Sequence, residues 1–250
     1  MTFPGRDGEP VSSKDSRTKF AELLTRIDFA ADLGSLPPGG AEQEKHLKEF
    51  QKLDIHLIHG LNIPFSNKEV DRQNYRLYCR AMASNMARYH QRWFQLGNEP
   101  SSAWAEAFGG LWNARPPSPW VFEFCAMVRA GARGIKEGNL QALVSTGGGV
   151  LPASYRILDE GLGSDFAAIT DHPYSRAGLP EQSGFGGEVV GERDGVHTAG
   201  ADQSFLSTMT MLNEKCVTSG NSHLNIWVTE WGVCHPAQSI GTGGIPSRFY

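Results

Sequence analysis

The chain has 250 residues, of which 40% are hydrophobic and 20% charged, and its formal net charge is −4 with a pI near 6.1. This is the composition of a globular protein, and it leaves no excess of cationic side chains to bind a nucleic-acid backbone. No apolar stretch approaches the roughly 20 residues that cross a bilayer, so we expect neither nucleic acid nor membrane as a partner.

Helix-like and strand-like segments alternate along the chain. Helical spacing of apolar residues predicts helices near 16–24, 41–53, 67–90, 118–138, 153–161 and 203–217. Short apolar runs predict six strands, at 24–30, 55–60, 93–97, 141–146, 166–170 and 224–230. Such an alternation indicates βαβ units and a parallel sheet in one domain over 1–250.

The alternation fits both a doubly wound sheet and a (β/α)₈ barrel, and the polar residues favour the barrel. A nucleotide-binding doubly wound sheet would carry glycines in its first βα turn. In this chain several predicted strands end in polar side chains, as the strands of barrel enzymes typically do. These residues are Asp28, Asn98, Glu99, His172, Tyr174 and Glu230. We therefore expect a barrel of which strands two to seven are visible, which means either that the chain is a fragment of a longer protein or that this strand count is wrong.

Two of these polar residues are carboxylates that can work as a pair. Strand alternation predicts that Glu99 and Glu230 both project inward, in company with Gln95 and Gly97 on one strand and Ile226 and Val228 on the other. Two carboxyl groups on opposite sides of one sugar are what glycoside hydrolysis requires. A glutamate at a strand end is also common as a plain surface residue. Asn98 beside Glu99 and the aromatic Trp231 beside Glu230 favour the sugar site.

Three motifs strengthen this interpretation through a resemblance. "GNEP" at 97–100, "DHPYS" at 171–175 and "VTEWG" at 228–232 resemble the marks of clan A glycoside hydrolases, the retaining (β/α)₈ enzymes. The motifs occur in the clan's order, and the resemblance extends from about residue 20 to 235. The chain is similar to sequences of the family 39 and family 5 types, and the motifs do not distinguish between the two.

The resemblance implies a role for each matched residue. Glu99 would be the general acid/base and Glu230 the nucleophile of a retaining glycosidase on β-linked oligo- or polysaccharide. Asn98 would bind the sugar 2-hydroxyl, Tyr174 would hydrogen-bond the nucleophile and His172 would contribute to the substrate subsite. "LTRIDF" is similar to the clan's second strand, so that Arg26 would pair with the nucleophile. No cofactor or metal is implied.

Several alternatives stay open. The chain is also compatible with an inactive or truncated barrel that binds carbohydrate without cleaving it. A metal-dependent hydrolase is disfavoured because His56 and His59, three apart on a strand, face opposite sides. The four dispersed cysteines favour buried thiols over a disulfide framework. The N-terminus lacks the apolar core of a signal peptide, and the compartment, the oligomeric state and the sugar itself stay open.

Overall fold

The computed structural model describes residues 41–110, 118–146, 151–172, 174–175, 192–193, 196–197, 205–230 and 232–233. Within these ranges the main elements alternate between helix and strand. The helices are α1 (Ala41–Lys52), α2 (Glu69–Ala87), α3 (Pro100–Phe108), α4 (Pro119–Gly138), α5 (Leu151–Glu160) and α6 (Phe205–Thr218). The longer strands are β1 (Ile58–Leu61), β2 (Trp93–Leu96), β3 (Leu143–Thr146), β4 (Ala168–Asp171) and β8 (Asn225–Val228).

Four further strands are only two residues long. These are β5 (Tyr174–Ser175), β6 (Glu192–Arg193), β7 (Val196–His197) and β9 (Gly232–Val233). β5 pairs with β9 in parallel, and β6 pairs with β7 antiparallel. The prediction of a strand at 24–30 lies outside the described residues, whereas the other five predicted strands are confirmed in position.

The five longer strands form one parallel sheet in the order β1-β2-β3-β4-β8. This order follows the chain, without the reversal that marks a doubly wound sheet. Each crossover contains at least one helix, and right-handed crossovers in a single direction place those helices on one face of the sheet. The described part of the chain is thus an α/β fold built on a five-stranded parallel sheet, as the alternation predicted.

The main core lies between the sheet and these helices. Alternate strand residues enter it, among them Phe94, Leu96, Val144 and Ile169, and all four are fully buried. From the helices come Tyr75, Trp120, Phe124, Ile135 and Ile157. Each large apolar side chain buried in this way contributes about 1.5–3 kcal/mol.

Helices α2 and α4 pack at backbone distance because α4 presents glycines at the contact. A Cβ added to Gly134 would lie 2.1 Å from the carbonyl oxygen of Arg76, and one added to Gly138 would lie 2.2 Å from that of Arg80. Across the same contact, Arg72 bonds Glu123 at 2.7 Å and Arg76 forms an ion pair with Glu137. Close packing and peripheral ion pairs therefore fix the two helices side by side.

The opposite face of the sheet is curved inward. Trp93 on β2 and Trp227 on β8 have ring centroids 5.0 Å apart although two strands separate β2 from β8. Three strand spacings of about 4.8 Å would separate these strands by roughly 14 Å in a flat sheet. The contact therefore indicates a concave face.

The state of the cysteines and the polarity of the helices were both expected from the sequence. Cys79, Cys125 and Cys216 are buried free thiols, as expected, and Cys234 lies outside the described residues. Burial raises the pKa of the Cys125 thiol to about 12, so this thiol is held neutral. Among the described helices, none has both the length and the apolarity needed to span a bilayer.

Candidate active site at the carboxyl end of the sheet

Three side chains meet where β2, β4 and β8 end. Glu99, His172 and Glu230 each offer a ligand-type atom, and these three atoms all lie within 4.8 Å of one another. The Nδ1 atom of His172 is 3.0 Å from Oε1 of Glu99 and 3.7 Å from Oε2 of Glu230. The histidine side chain is 2% exposed, whereas the two glutamate side chains are 54% and 40% exposed. The site is thus a buried imidazole with two accessible carboxylates over it.

Glu99 reaches the site through an unusual backbone. It stands at the N-cap of α3 with φ 41° and ψ 62°, in the left-handed region, and its carboxylate makes no capping hydrogen bond. For a residue with a Cβ this conformation costs roughly 1–2 kcal/mol. The carboxylate turns to His172 instead of the helix end. The Glu99 carboxylate therefore does not cap the helix.

Gly97 allows the turn that precedes Glu99. Its φ is 73°, and an added Cβ would lie 2.6 Å from Cδ1 of Ile63. Its N–H donates to the carbonyl of Leu61 at 3.0 Å, which joins the turn to the end of β1. Pro100 then begins α3. Glycine, strained glutamate and proline together aim one carboxylate from the strand end.

His172 is held at both ring nitrogens. Nδ1 contacts Glu99, and Nε2 is 3.2 Å from the Oγ1 of Thr229. Because a hydroxyl can either donate or accept, Thr229 satisfies Nε2 whether or not that nitrogen carries the proton. The ring can therefore donate to an ionised Glu99 or accept from a protonated one without losing its second hydrogen bond.

Strand pairing on both sides of the site holds His172 next to Glu230. Below the site Asp171 pairs with Val228, and above it Tyr174 pairs with Gly232. Between these pairs the segment that contains His172 has two residues, whereas the segment that contains Glu230 has three. An extra residue of this kind shifts the alternation of side chains and re-aims them, as a β-bulge does.

Because of this extra residue, the side chains of β8 point to other sides of the sheet than strict alternation predicts. Ile226 packs against the core on the helix side, whereas Trp227 contacts Trp93 on the concave side. The prediction that Ile226 and Val228 face inward with Glu230 is therefore wrong. Glu230 lies beyond the end of β8 and reaches the site because strict alternation stops there.

Asp171, directly below His172, carries an unusual carboxyl group. It is 3% exposed, and its Oδ1 has no hydrogen-bond partner among the described residues. Burial raises its pKa to about 7, while a hydrogen bond from the backbone N–H of His172 acts in the opposite direction. Sequence reasoning passed over this residue, although an aspartate ending a buried strand is a recognisable signal.

The remaining predicted site residues have different outcomes. Asn98 adjoins Glu99 and is exposed, so it is available to a ligand. Arg26 and Trp231 lie outside the described residues. For Tyr174 only the backbone is described, in β5. Trp104, which follows Glu99 on α3, is buried against Phe65, Phe108 and Phe124.

The geometry permits two kinds of chemistry. Carboxylate pairs about 5 Å apart are typical of retaining glycosidases, and pairs 6.5–9.5 Å apart of inverting ones. Two carboxylates and one imidazole nitrogen are also a ligand set that Zn²⁺ accepts. A scan of protein-family models and a search of curated proteins each found no match to this chain.

Proposed function

We propose that the chain is a retaining glycoside hydrolase in which Glu99 is the general acid/base and Glu230 the nucleophile. One observation carries the proposal: carboxylate oxygens of the two residues lie within 4.8 Å of each other over a buried histidine, at the carboxyl edge of a parallel sheet. That closeness is near the roughly 5 Å separation of the carboxyl groups in retaining enzymes and suits direct attack by one carboxylate.

The chemistry follows in two steps. In the first, Glu99 donates its proton to the leaving oxygen while a carboxylate oxygen of Glu230 attacks the anomeric carbon, which forms a glycosyl ester and releases the aglycone. In the second, Glu99 takes a proton from water, whose oxygen attacks the anomeric carbon and restores the Glu230 carboxylate. His172 can follow both states of Glu99 because Thr229 supports either tautomer.

We further propose that the sheet is part of a (β/α)₈ barrel. The sequential order of five parallel strands, the helices on one face and the concave contact of Trp93 with Trp227 support this architecture. In such barrels active sites lie at the carboxyl ends of the strands. The end of β2 and the end of β8 would then face each other across the mouth, in agreement with the meeting of Glu99 and Glu230.

The test is hydrolysis of aryl β-glycosides followed by proton NMR of the first-formed sugar. A retaining enzyme releases the β-anomer before mutarotation, and release of the α-anomer would contradict the proposal. The Glu99→Gln variant should lose about 10²–10⁴-fold in kcat/KM on substrates with a poor leaving group and much less on those with a good one. Equal losses on both would remove Glu99 from the acid role. A chain that binds β-linked sugars without cleaving them would be the non-catalytic barrel.

A metal-assisted hydrolase is the second candidate, favoured by the same three side chains. His172 Nδ1 lies 3.0 Å from one carboxylate and 3.7 Å from the other, so small rotations would let all three bind a single ion. Zn²⁺ held by two carboxylates and a histidine would activate a water molecule. Metal analysis of the purified protein and assays after dialysis against EDTA separate the candidates. The glycosidase keeps its activity without metal.

A further inference from the structure

A pair of amides lies next to Glu99. Gln95 is on β2 and 8% exposed, and its Nε2 is 3.2 Å from the carbonyl oxygen of Gly97 and 3.3 Å from Oδ1 of Asn98. Asn98 itself is exposed, and its Nδ2 has no hydrogen-bond partner among the described residues. The buried amide therefore contacts the exposed one from below.

The contacts fix the orientation of both amides in turn. A backbone carbonyl only accepts hydrogen bonds, so the atom of Gln95 that contacts Gly97 must be its NH₂ group. An NH₂ group only donates, so the atom of Asn98 in contact with it must be the oxygen. The NH₂ group of Asn98 is then the part left for a ligand. The orientation follows from hydrogen-bond chemistry and needs no choice between amide flips.

We propose that Gln95 is a positioning residue that holds Asn98 as a hydrogen-bond donor, so that the site selects substrates with an acceptor oxygen beside the reacting carbon. This inference rests on the proposed glycosidase function, under which that oxygen is the sugar 2-hydroxyl. Hydrogen bonds to this hydroxyl strengthen in the transition state of glycoside hydrolysis. Gln95 acts through Asn98 and does not touch the sugar.

Replacement of Gln95 by glutamate reverses the direction of the contact at almost constant size. A carboxylate only accepts, so it would attract the NH₂ group of Asn98 and rotate that amide until its oxygen faces the ligand. Gln95→Met is the matched control, because it has a similar length but neither donates nor accepts strongly. In that variant Asn98 is free to take either orientation.

The readout is the preference for a 2-hydroxyl, measured as kcat/KM on an aryl β-glycoside divided by that on its 2-deoxy analogue. We expect Gln95→Glu to reduce this ratio by about tenfold or more, the effect of one good hydrogen bond, and Gln95→Met to reduce it less. In both variants the loss on the 2-deoxy substrate should be smaller than the loss on the parent glycoside. An equal loss on both substrates, as a purely structural role predicts, would overturn the inference.

A second readout does not depend on activity. In labelled wild-type protein, through-hydrogen-bond NMR coupling should join Nε2 of Gln95 to the side-chain carbonyl carbon of Asn98. Coupling in the opposite direction, from Nδ2 of Asn98 to Gln95, would overturn the inference. A wild-type chain that cleaves neither substrate would refute the proposed function, while the coupling would still decide whether Gln95 orients Asn98.

Discussion

The helix layer and the carboxyl edge of the sheet differ in what their residues contribute to stability. On the helix side, Tyr75, Phe124 and Ile135 are buried without exception, and glycines let α2 and α4 touch at the backbone. At the carboxyl edge, Glu99 has a left-handed backbone, His172 is a buried polar ring and Asp171 is a buried carboxyl. The first region has favourable packing, whereas the second concentrates conformations and groups that oppose folding.

Under the proposed function, the difference separates the residues that serve the reaction from those that stabilise the fold. Strained and buried polar residues persist when the surrounding structure holds them and when the site needs them. Substitutions at the carboxyl edge should therefore lower activity with little loss of stability. Substitutions in the helix layer should lower stability with little loss of activity. Four substitutions test this contrast.

The largest effect should come from Glu230→Gln. It removes the proposed nucleophile while preserving size, and we expect a loss on the order of 10⁵-fold in kcat with little change in the free energy of unfolding. Steady-state assays and urea denaturation measure the two quantities. The matched control is Glu106→Gln, an exposed glutamate on α3 outside the site, which should leave both unchanged. Equal activity of the two variants would refute the role of Glu230.

Gly134→Ala should produce the opposite pattern. The added methyl group would lie 2.1 Å from the carbonyl oxygen of Arg76, so α4 must shift away from α2. We expect a loss of about 1–3 kcal/mol in the free energy of unfolding, although alanine is the better helix former. The neighbouring exposed variant Arg133→Ala should change it by less than about 0.5 kcal/mol. Unchanged stability of Gly134→Ala would show that the helices do not meet this closely.

Asp171→Asn should alter the pH dependence of stability. In the folded chain burial raises the pKa of Asp171 to about 7, so this carboxyl favours the folded state while protonated. Its contribution is fully present below about pH 4 and is lost as the pH rises through about 7, at up to about 1.4 kcal/mol per pH unit. Urea denaturation between pH 4 and 8 should show that the free energy of unfolding of the variant increases relative to that of the wild type as the pH rises. A constant difference between the two would contradict a buried carboxyl with a raised pKa.

Glu99→Gly should give the smallest effect, a gain in stability. Glycine adopts the left-handed backbone without the cost that a Cβ brings, and we expect the free energy of unfolding to rise by up to about 1 kcal/mol while activity is lost. At Glu106, inside α3 on its exposed side, the same change to glycine should instead lower it by about 1 kcal/mol. Thermal denaturation of the pair measures the contrast. Destabilisation at both positions would mean that Glu99 is not strained.

The repeating parts of this structure could be predicted from the sequence. Apolar periodicity located the α/β alternation, and the pairing of Glu99 with Glu230 followed from their motifs at strand ends. The details of the site depend on departures from periodicity. Alternation assigned Ile226 to the wrong face, because it cannot register the extra residue between the paired stretches around the site. The hydrogen bonds of Gln95 depend on the turn after β2, and that of Thr229 on the irregular stretch after β8; neither backbone carries a sequence pattern.

The most direct test of the account is covalent trapping with a 2-deoxy-2-fluoro β-glycoside that carries a good leaving group. The fluorine slows both steps, and the leaving group lets the first outrun the second, so a retaining enzyme accumulates its glycosyl ester. Mass spectrometry of the digested protein should find one sugar on the peptide that contains Glu230, and none in the Glu230→Gln variant. A sugar on another residue, or release of fluorosugar without any adduct, would contradict the assignment of Glu230 as nucleophile.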